Sequence, residues 1–246
     1  MSKHTVLITS ALYTNYGIYS SQERIAQTTA TAVSVKKYLP DSTIILIDNS
    51  KIDVQSDDSS EFDQLLDLVD YYIDNSDDAD IQYFHNNVSN YDIGKNSMEV
   101  LGFIKALQYI ISNEELSTII NQSNRIFKLS GRYELTDKFD INVFDNESTK
   151  DSYVFKKSQP SWCDQSVTGV DQLLQTRLWS FTPSLLNETV DMFQLIIQNM
   201  FDTYNKQQYI DVEHSIYKFI DRTKLLMVDT VGLKGNIAPN GMIILD

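Results

Sequence analysis

The sequence predicts an α/β protein: a mostly parallel sheet flanked by helices, built as a single domain over residues 1–246. Two short β-branched runs, Thr5–Leu12 and Thr43–Ile47, bracket a helical pattern, so strand, helix and strand fall within about 45 residues. Such a βαβ unit requires parallel strands and a right-handed crossover. Hydrophobic residues make up 42% and aromatics 11% of the 246 residues, enough for a core of that size. Only 8 Gly and 4 Pro leave little turn chemistry for a loop-dominated all-β protein.

Each element follows from local pattern. Thr5–Leu12 reads as a buried strand. Ser20-Ser-Gln-Glu23 has the form of a capping box, with Ser20 as N-cap and Glu23 at the third helical position. The helix behind it places Ile25, Thr29, Ala32 and Val35 on one face and ends near Pro40. Thr43–Ile47 is the second strand, terminated by Asp48-Asn49-Ser50. The acidic stretch Asp53–Asp80 holds a weak helix through Phe62, Leu65, Leu66 and Val69, and Ile81–Phe84 is expected as a third short strand. Asn96-Ser-Met-Glu99 reads as another capping box, opening a helix with Val100, Phe103, Ile104, Leu107 and Ile111 inward. Arg125–Leu129, Tyr153–Lys156 and Leu178–Phe181 are further strands. Pro183 opens a helix carrying Leu186, Val190, Phe193, Ile197, Met200 and Tyr204, and Asp211 caps a shorter one whose Val212, Ile216 and Ile220 face the core.

Charge and rare residues exclude several functions. The net charge is −14, but Ile52–Gly94 holds twelve acids and no Lys or Arg; the rest has 22 acids against 20 bases. A nearly neutral body disfavours long-range capture of nucleic acid or anionic membrane. The single cysteine, Cys163, excludes an internal disulfide framework, and His4, His85 and His214 are too few for a multi-histidine metal centre. The opening apolar run is far short of the roughly 20 residues of a membrane helix, so the chain reads as cytoplasmic with no membrane span.

Open parallel sheets bind ligands at the carboxyl ends of their strands. That rule selects the Tyr13–Arg24 loop, Asp48-Asn49-Ser50, the loop before Asn96 with Lys95, and Ser130-Gly131-Arg132-Tyr133. Together they offer what a nucleoside diphosphate needs: an acid for ribose or base, cations for phosphate, and aromatics for stacking. No GxGxxG, GxxxxGK[ST] or GxSxG is present, which argues against a dinucleotide fold, a P-loop and a nucleophile elbow. Arg24 stands in a first helical turn, against the helix dipole. Gly131, lacking Cβ, would let a ligand approach the backbone. Glu213 and His214 are adjacent and point about 100° apart on their helix, so they form no simple dyad. Glu213 is the first candidate for a general base, kept ionised by the helix N-terminus, with His214 second and Asp164 third. Trp162, on a polar loop, either stacks on a sugar face or covers the core edge.

Strand, then Ser130-Gly131-Arg132-Tyr133-Glu134-Leu135, resembles the KL(S/T)GRY segment of small bacterial and phage GT-A-like glycosyltransferases. Three segments agree in order: Arg24 with Gln27-Thr28, Asp211-Val-Glu213-His214, and Gly235-Asn-Ile-Ala238-Pro-Asn-Gly241, similar to a closing G-x-I-A-x-x-G. The resemblance covers residues 5–241. It implies a GT-A, Rossmann-like fold, a nucleoside-diphosphate sugar held by the N-terminal half, and an acceptor held by the C-terminal half, either a glycan or the hydroxylated bases of phage-type DNA. It also implies donor contacts from Arg24, Asp48, Lys95, Ser130, Gly131, Arg132 and Tyr133. Most such enzymes carry a D-x-D after a mid-sheet strand to hold Mn²⁺ or Mg²⁺. Here that place reads Ser-Gly-Arg, which leaves metal use open and gives Arg132 the metal's task; Asp78-Ala-Asp80, the one formal D-x-D, lies in the acidic run. The alternative is a non-catalytic nucleotide- or sugar-binding α/β module.

Overall fold

The computed structural model describes residues 3–13, 17–50, 59–88, 90–237 and 241–246. In chain order its elements begin with β1 (His4–Ser10), α1 (Ser21–Tyr38), β2 (Ser42–Asp48), α2 (Ser59–Leu66), β3 (Tyr71–Asp74), α3 (Ala79–Asn87), α4 (Tyr91–Ser112) and α5 (Glu114–Gln122). Then come β4 (Arg125–Ser130), β5 (Tyr133–Leu135), α6 (Ile141–Phe144), β6 (Tyr153–Lys156), β7 (Gln159–Pro160), α7 (Gln165–Thr168), β8 (Gln172–Leu173) and β9 (Leu178–Phe181). The chain closes with α8 (Leu186–Asn205), α9 (Val212–Phe219), β10 (Leu225–Val228), β11 (Leu233–Asn236) and β12 (Ile243–Leu245).

A seven-stranded sheet, ordered β10-β6-β9-β4-β1-β2-β3, forms the body. The three strands expected at its centre are neighbours: β1 runs parallel to β2, with Val6 opposite Ile44, and parallel to β4, with Val6 opposite Phe127. β9 runs against β4 and β6, and β10 lies parallel to β6. Side chains alternate across the pleat. Val6, Ile8, Ile44, Leu46, Phe127 and Leu129 meet α1 on one face. Leu7, Ile45, Ile47, Ile126 and Trp179 meet α4, α8 and α9 on the other. Both faces are covered, which is why β1 and β2 read as continuous apolar runs.

Three expectations about elements are corrected. The third strand is Tyr71–Asp74, paired to β2, whereas Ile81–Phe84 lies inside α3. The Asp78 carboxylate accepts from the N–H groups of Asp80 and Ile81 and so starts a helix there. α4 begins at Tyr91 behind an Asn90 cap, not at Asn96. The Asn96 side-chain amide donates to Asp92 O and Tyr209 Oη rather than accepting, and Glu99 turns inward. In the same helix Val100, Phe103, Ile104 and Leu107 are buried as expected, but Ile111 is exposed and Ile110 is buried beside them. The capping box at Ser20, the Pro183 start and the Asp211 cap are formed as the sequence suggested, Pro183 through a short 3₁₀ turn before α8.

Arg125 is fully buried. Its guanidinium donates to Ser180 Oγ at 2.7 Å, Thr149 O at 2.8 Å and Ser152 O at 2.9 Å. It thereby fastens β4 to β9 and to the turn before β6.

Candidate active site

The carboxyl end of β4 gathers an unusual set of charges on the α4/α9 face. Lys128 is buried in the central strand, and its ammonium donates to Ser130 Oγ at 2.9 Å, Thr176 O at 3.0 Å and Glu99 Oε1 at 3.3 Å. A lysine inside a central strand must be paired in this way, because an isolated buried ammonium is too costly. Glu99 comes from α4. Burial alone would raise its carboxyl, but Lys128, then Lys95 and Arg132, outweigh it and hold the group below its ordinary range. Lys95, one turn earlier on α4, and Arg132, just beyond β4, are half-buried. Among the described residues neither cation has a hydrogen-bonded or ion-paired partner.

Glu213 reaches the same place from the first turn of α9. Its Oε1 accepts from Thr176 Oγ1 at 2.8 Å. Burial pushes its carboxyl up to about 7, with Asp211 and Glu99 adding to the rise against Lys95 and the Thr176 hydrogen bond. The expectation that the helix N-terminus would keep it ionised is therefore reversed in sign: desolvation and neighbouring carboxylates outweigh the dipole.

The structure thus brings together Lys95, Ser130, Arg132 and Glu213 from the expected residues, and adds Glu99, Lys128 and Thr176. Gly131 lies beneath them. A Cβ there would meet Thr28 Oγ1 at 3.0 Å and Ser10 Cβ at 3.2 Å. The space opened by this glycine is filled by α1 and β1, not left to a ligand.

The other expected residues sit apart. Tyr133 is buried, and its hydroxyl accepts from Arg177 Nε at 3.1 Å. Arg24 is buried at the start of α1, donating to Tyr19 O and Ala11 O and so pinning the β1–α1 loop. Asp48 is fully buried and accepts from Leu12 N, Ser50 N and Ser50 Oγ; burial raises its carboxyl to about 6 against those bonds. Asp164 is exposed and caps α7 through Ser166 N, which holds its carboxyl below the ordinary range. His214 is fully buried, between Asp211 Oδ1 at 2.6 Å from Nδ1 and Ser161 Oγ at 2.8 Å from Nε2. Part of the Tyr13–Arg24 loop and Ala238–Asn240 of the closing motif lie outside the described residues.

A hydroxyl, an ammonium and a guanidinium at the end of β4 do not suit Mn²⁺ or Mg²⁺, which take oxygen ligands bearing negative charge. Asp78 and Asp80 both pair with Lys105, at 3.0 and 2.9 Å. Among the described residues no three His, Cys, Asp or Glu side chains converge. A groove of about 690 Å³ lined by Thr29, Val33, Lys37 and Glu134 lies on the α1 face and contains none of the clustered side chains.

No protein-family model matches the chain, and no curated protein matches it in sequence. Solved structures do match in fold. A galactosyltransferase, LgtC, in complex with donor and acceptor sugar analogues superposes with a TM-score of 0.54 at 9% identity, over 91% of this chain and 73% of that one. An active-site mutant of LgtC gives 0.53 at 9% identity, over 91% and 72%. A glycosyltransferase involved in glycosylation of the major capsid of PBCV-1 gives 0.46 at 8% identity, over 92% and 81%. The LgtC matches show a GT-A-like fold: one mixed α/β domain with a mostly parallel sheet flanked by helices. Among the described residues no helix is long and apolar enough to cross a membrane.

Proposed function

We propose that this protein is a glycosyltransferase that moves a hexosyl or pentosyl group from a nucleoside-diphosphate sugar to an acceptor hydroxyl. One observation carries the reading. Lys95 and Arg132, two cations without hydrogen-bonded partners among the described residues, both act on Glu99, and Lys95 also on Glu213, a carboxyl poised near neutrality, at the strand ends where this fold class binds ligands.

In this reading the bond between the anomeric carbon and the donor phosphate breaks. The departing diphosphate gathers negative charge, which Arg132 meets with a planar pair of donors and Lys95 with a point charge. The acceptor oxygen forms the new bond to the anomeric carbon and gives its proton to Glu213. Lys128 and Thr176 are positioning residues: Lys128 holds Glu99 by a hydrogen bond, and Thr176 orients Glu213. No step is routed through a metal, because the donor set at the end of β4 does not fit one.

The test is a thermal-shift screen against UDP, GDP and CMP, followed by hydrolysis assays on the matching nucleotide sugars. Binding with slow hydrolysis in the absence of acceptor is the expected result. Binding without turnover, with every acceptor class tried, would leave a recognition module in place of an enzyme.

A further inference from the structure

The β7–β8 hairpin carries a side chain that the core does not explain. Gln159–Pro160 pairs with Gln172–Leu173, and Ser161 N donates to Asp171 O at 2.8 Å. The hairpin is closed by α7 and by Gly169 at a φ of 77°. Trp162 projects from it with 66% of its surface exposed. Solvent exposure of a group this large and apolar runs against the usual burial of tryptophan.

The side chain is exposed but not loose. Its edge meets the His214 ring at 5.5 Å between centroids, and its face tilts toward Tyr209 at 6.1 Å. Tyr209 stacks in turn on Tyr204 and feels the charge of Glu213. Behind the indole run Asp211, His214 and Ser161, linked at 2.6 and 2.8 Å. The spacing is that of a carboxylate–histidine–hydroxyl relay, but the hydroxyl is no nucleophile. Ser161 Oγ accepts from Cys163 N at 3.0 Å and donates to Cys163 O at 2.8 Å, and His214 has no exposed surface. The relay grips the turn on both sides of Trp162 and anchors it to α9, the helix that carries Glu213.

We propose that the outward face of Trp162 is the platform for a pyranose ring of a carbohydrate acceptor, and that Asp211, His214 and Ser161 are positioning residues that hold it beside Glu213. The role as acceptor site rests on the transferase reading above; the affinity for carbohydrate does not. An indole two-thirds exposed offers a flat apolar surface to the C–H face of a sugar, while Tyr209 at its side gives a polar rim for its hydroxyls. The near-neutral body, with 22 acids against 20 bases outside Ile52–Gly94, favours this occupant over a DNA strand, which needs basic tracking.

The chain's two tryptophans make the test direct, since Trp179 is fully buried and Trp162 alone is open to a collisional quencher. Acrylamide quenching of the full-length protein is measured with methyl β-glucopyranoside, methyl β-galactopyranoside or methyl α-mannopyranoside, and with a single-stranded oligonucleotide containing hydroxymethylcytosine. At least one glycoside should cut the quenching constant about twofold or more, and the oligonucleotide should not. Protection by the oligonucleotide alone, or by no probe, overturns the proposal. With an active donor in hand, Trp162→Ala should raise acceptor KM by roughly tenfold, the scale of one lost ring stack, while donor KM holds. Ser161→Ala should do the same and raise basal quenching, with Ser161→Thr restoring both. Unchanged quenching and acceptor KM in Ser161→Ala would remove the relay from the proposal. If no donor is ever turned over, the transferase reading fails while the glycoside result still stands or falls by itself.

Discussion

Replacing Glu213 by glutamine tests the assigned base through both rate and pH dependence. With the carboxyl at about 7, its ionised fraction falls from about 91% at pH 8 to about 9% at pH 6, so kcat should drop about tenfold over that span. An ordinary glutamate, near 4.3, would lose only about 2% of its ionised form over the same range. The sign follows from the mechanism: a base works in its ionised form, so activity is present above the folded pKa and lost as pH falls through it. Glu213→Gln should lower kcat by about 10²–10⁴-fold and flatten the acidic limb, with donor affinity nearly unchanged. Lys95→Gln removes a charge that lowers the Glu213 pKa, so the limb should move to higher pH. The assay is a steady-state pH–rate profile from pH 5 to pH 9 at saturating donor. A limb that stays in place in Glu213→Gln would refute the assignment; His214, buried and doubly engaged, would be no substitute without a rearrangement of α9.

Arg132→Ala should weaken nucleotide-sugar binding by the roughly 1.5–3 kcal/mol of a charge-assisted hydrogen bond, with Arg132→Lys a poor rescue, as read by calorimetry; equal affinity in wild type and variant would take Arg132 out of the site. Activity should survive EDTA at least in part, and full loss restored by Mn²⁺ would contradict the charge assignment at the end of β4. Gly102→Ala should cost about 1–3 kcal/mol in urea unfolding, because its Cβ would fall 2.0 Å from Asn49 Oδ1 and break the 2.8 Å bond from Asn75. Asp48→Ala should lose about 2–4 kcal/mol by orphaning the buried N–H groups of Leu12 and Ser50, and a loss under about 0.5 kcal/mol would show that water replaces the carboxylate there.

Those residues also show how far sequence carries. The central strands were readable because both faces of the sheet are covered, so β1 and β2 are apolar without alternation, and β4 keeps Ile126, Phe127 and Leu129 beside its two cations. Pairing was less accessible. Tyr71–Asp74 and Ile81–Phe84 look alike as short apolar runs, and only Asp78, a cap in front of the second, separates them. Asn96-Ser-Met-Glu99 matched a capping pattern, yet its asparagine donates within α4 and its glutamate answers a lysine on β4. The site was half visible. Arg132, Lys95 and Glu213, expected from strand ends and a helix cap, fall in the cluster at the end of β4, whereas Lys128 was not anticipated although its signal was present: a lysine inside a buried central strand has to be paired. Tyr133 and Arg24 failed to join the cluster because burial took them into packing, which residue type and spacing do not disclose.

Arg125 has a consequence for how the chain assembles. β1 to β4 lie next to one another in the sheet and are complete by residue 130, whereas the partner of β4 on its other side, β9, arrives only at Leu178. During synthesis or refolding the half-sheet therefore presents β4 as a free edge, the kind of edge that pairs wrongly with other chains. The two cations on that edge, Arg125 and Lys128, lack Ser180, Thr149, Ser152 and Thr176 until the second half folds. Lys128 already has Glu99 and Ser130, but until then Arg125 opposes the approach of a foreign strand, which would have to bury its charge without those partners; once β9 docks, the same charge becomes its fastening. Arg125→Leu should accordingly refold with a yield that falls more steeply with protein concentration than wild type, and matching concentration dependence would show that the edge is guarded by something else.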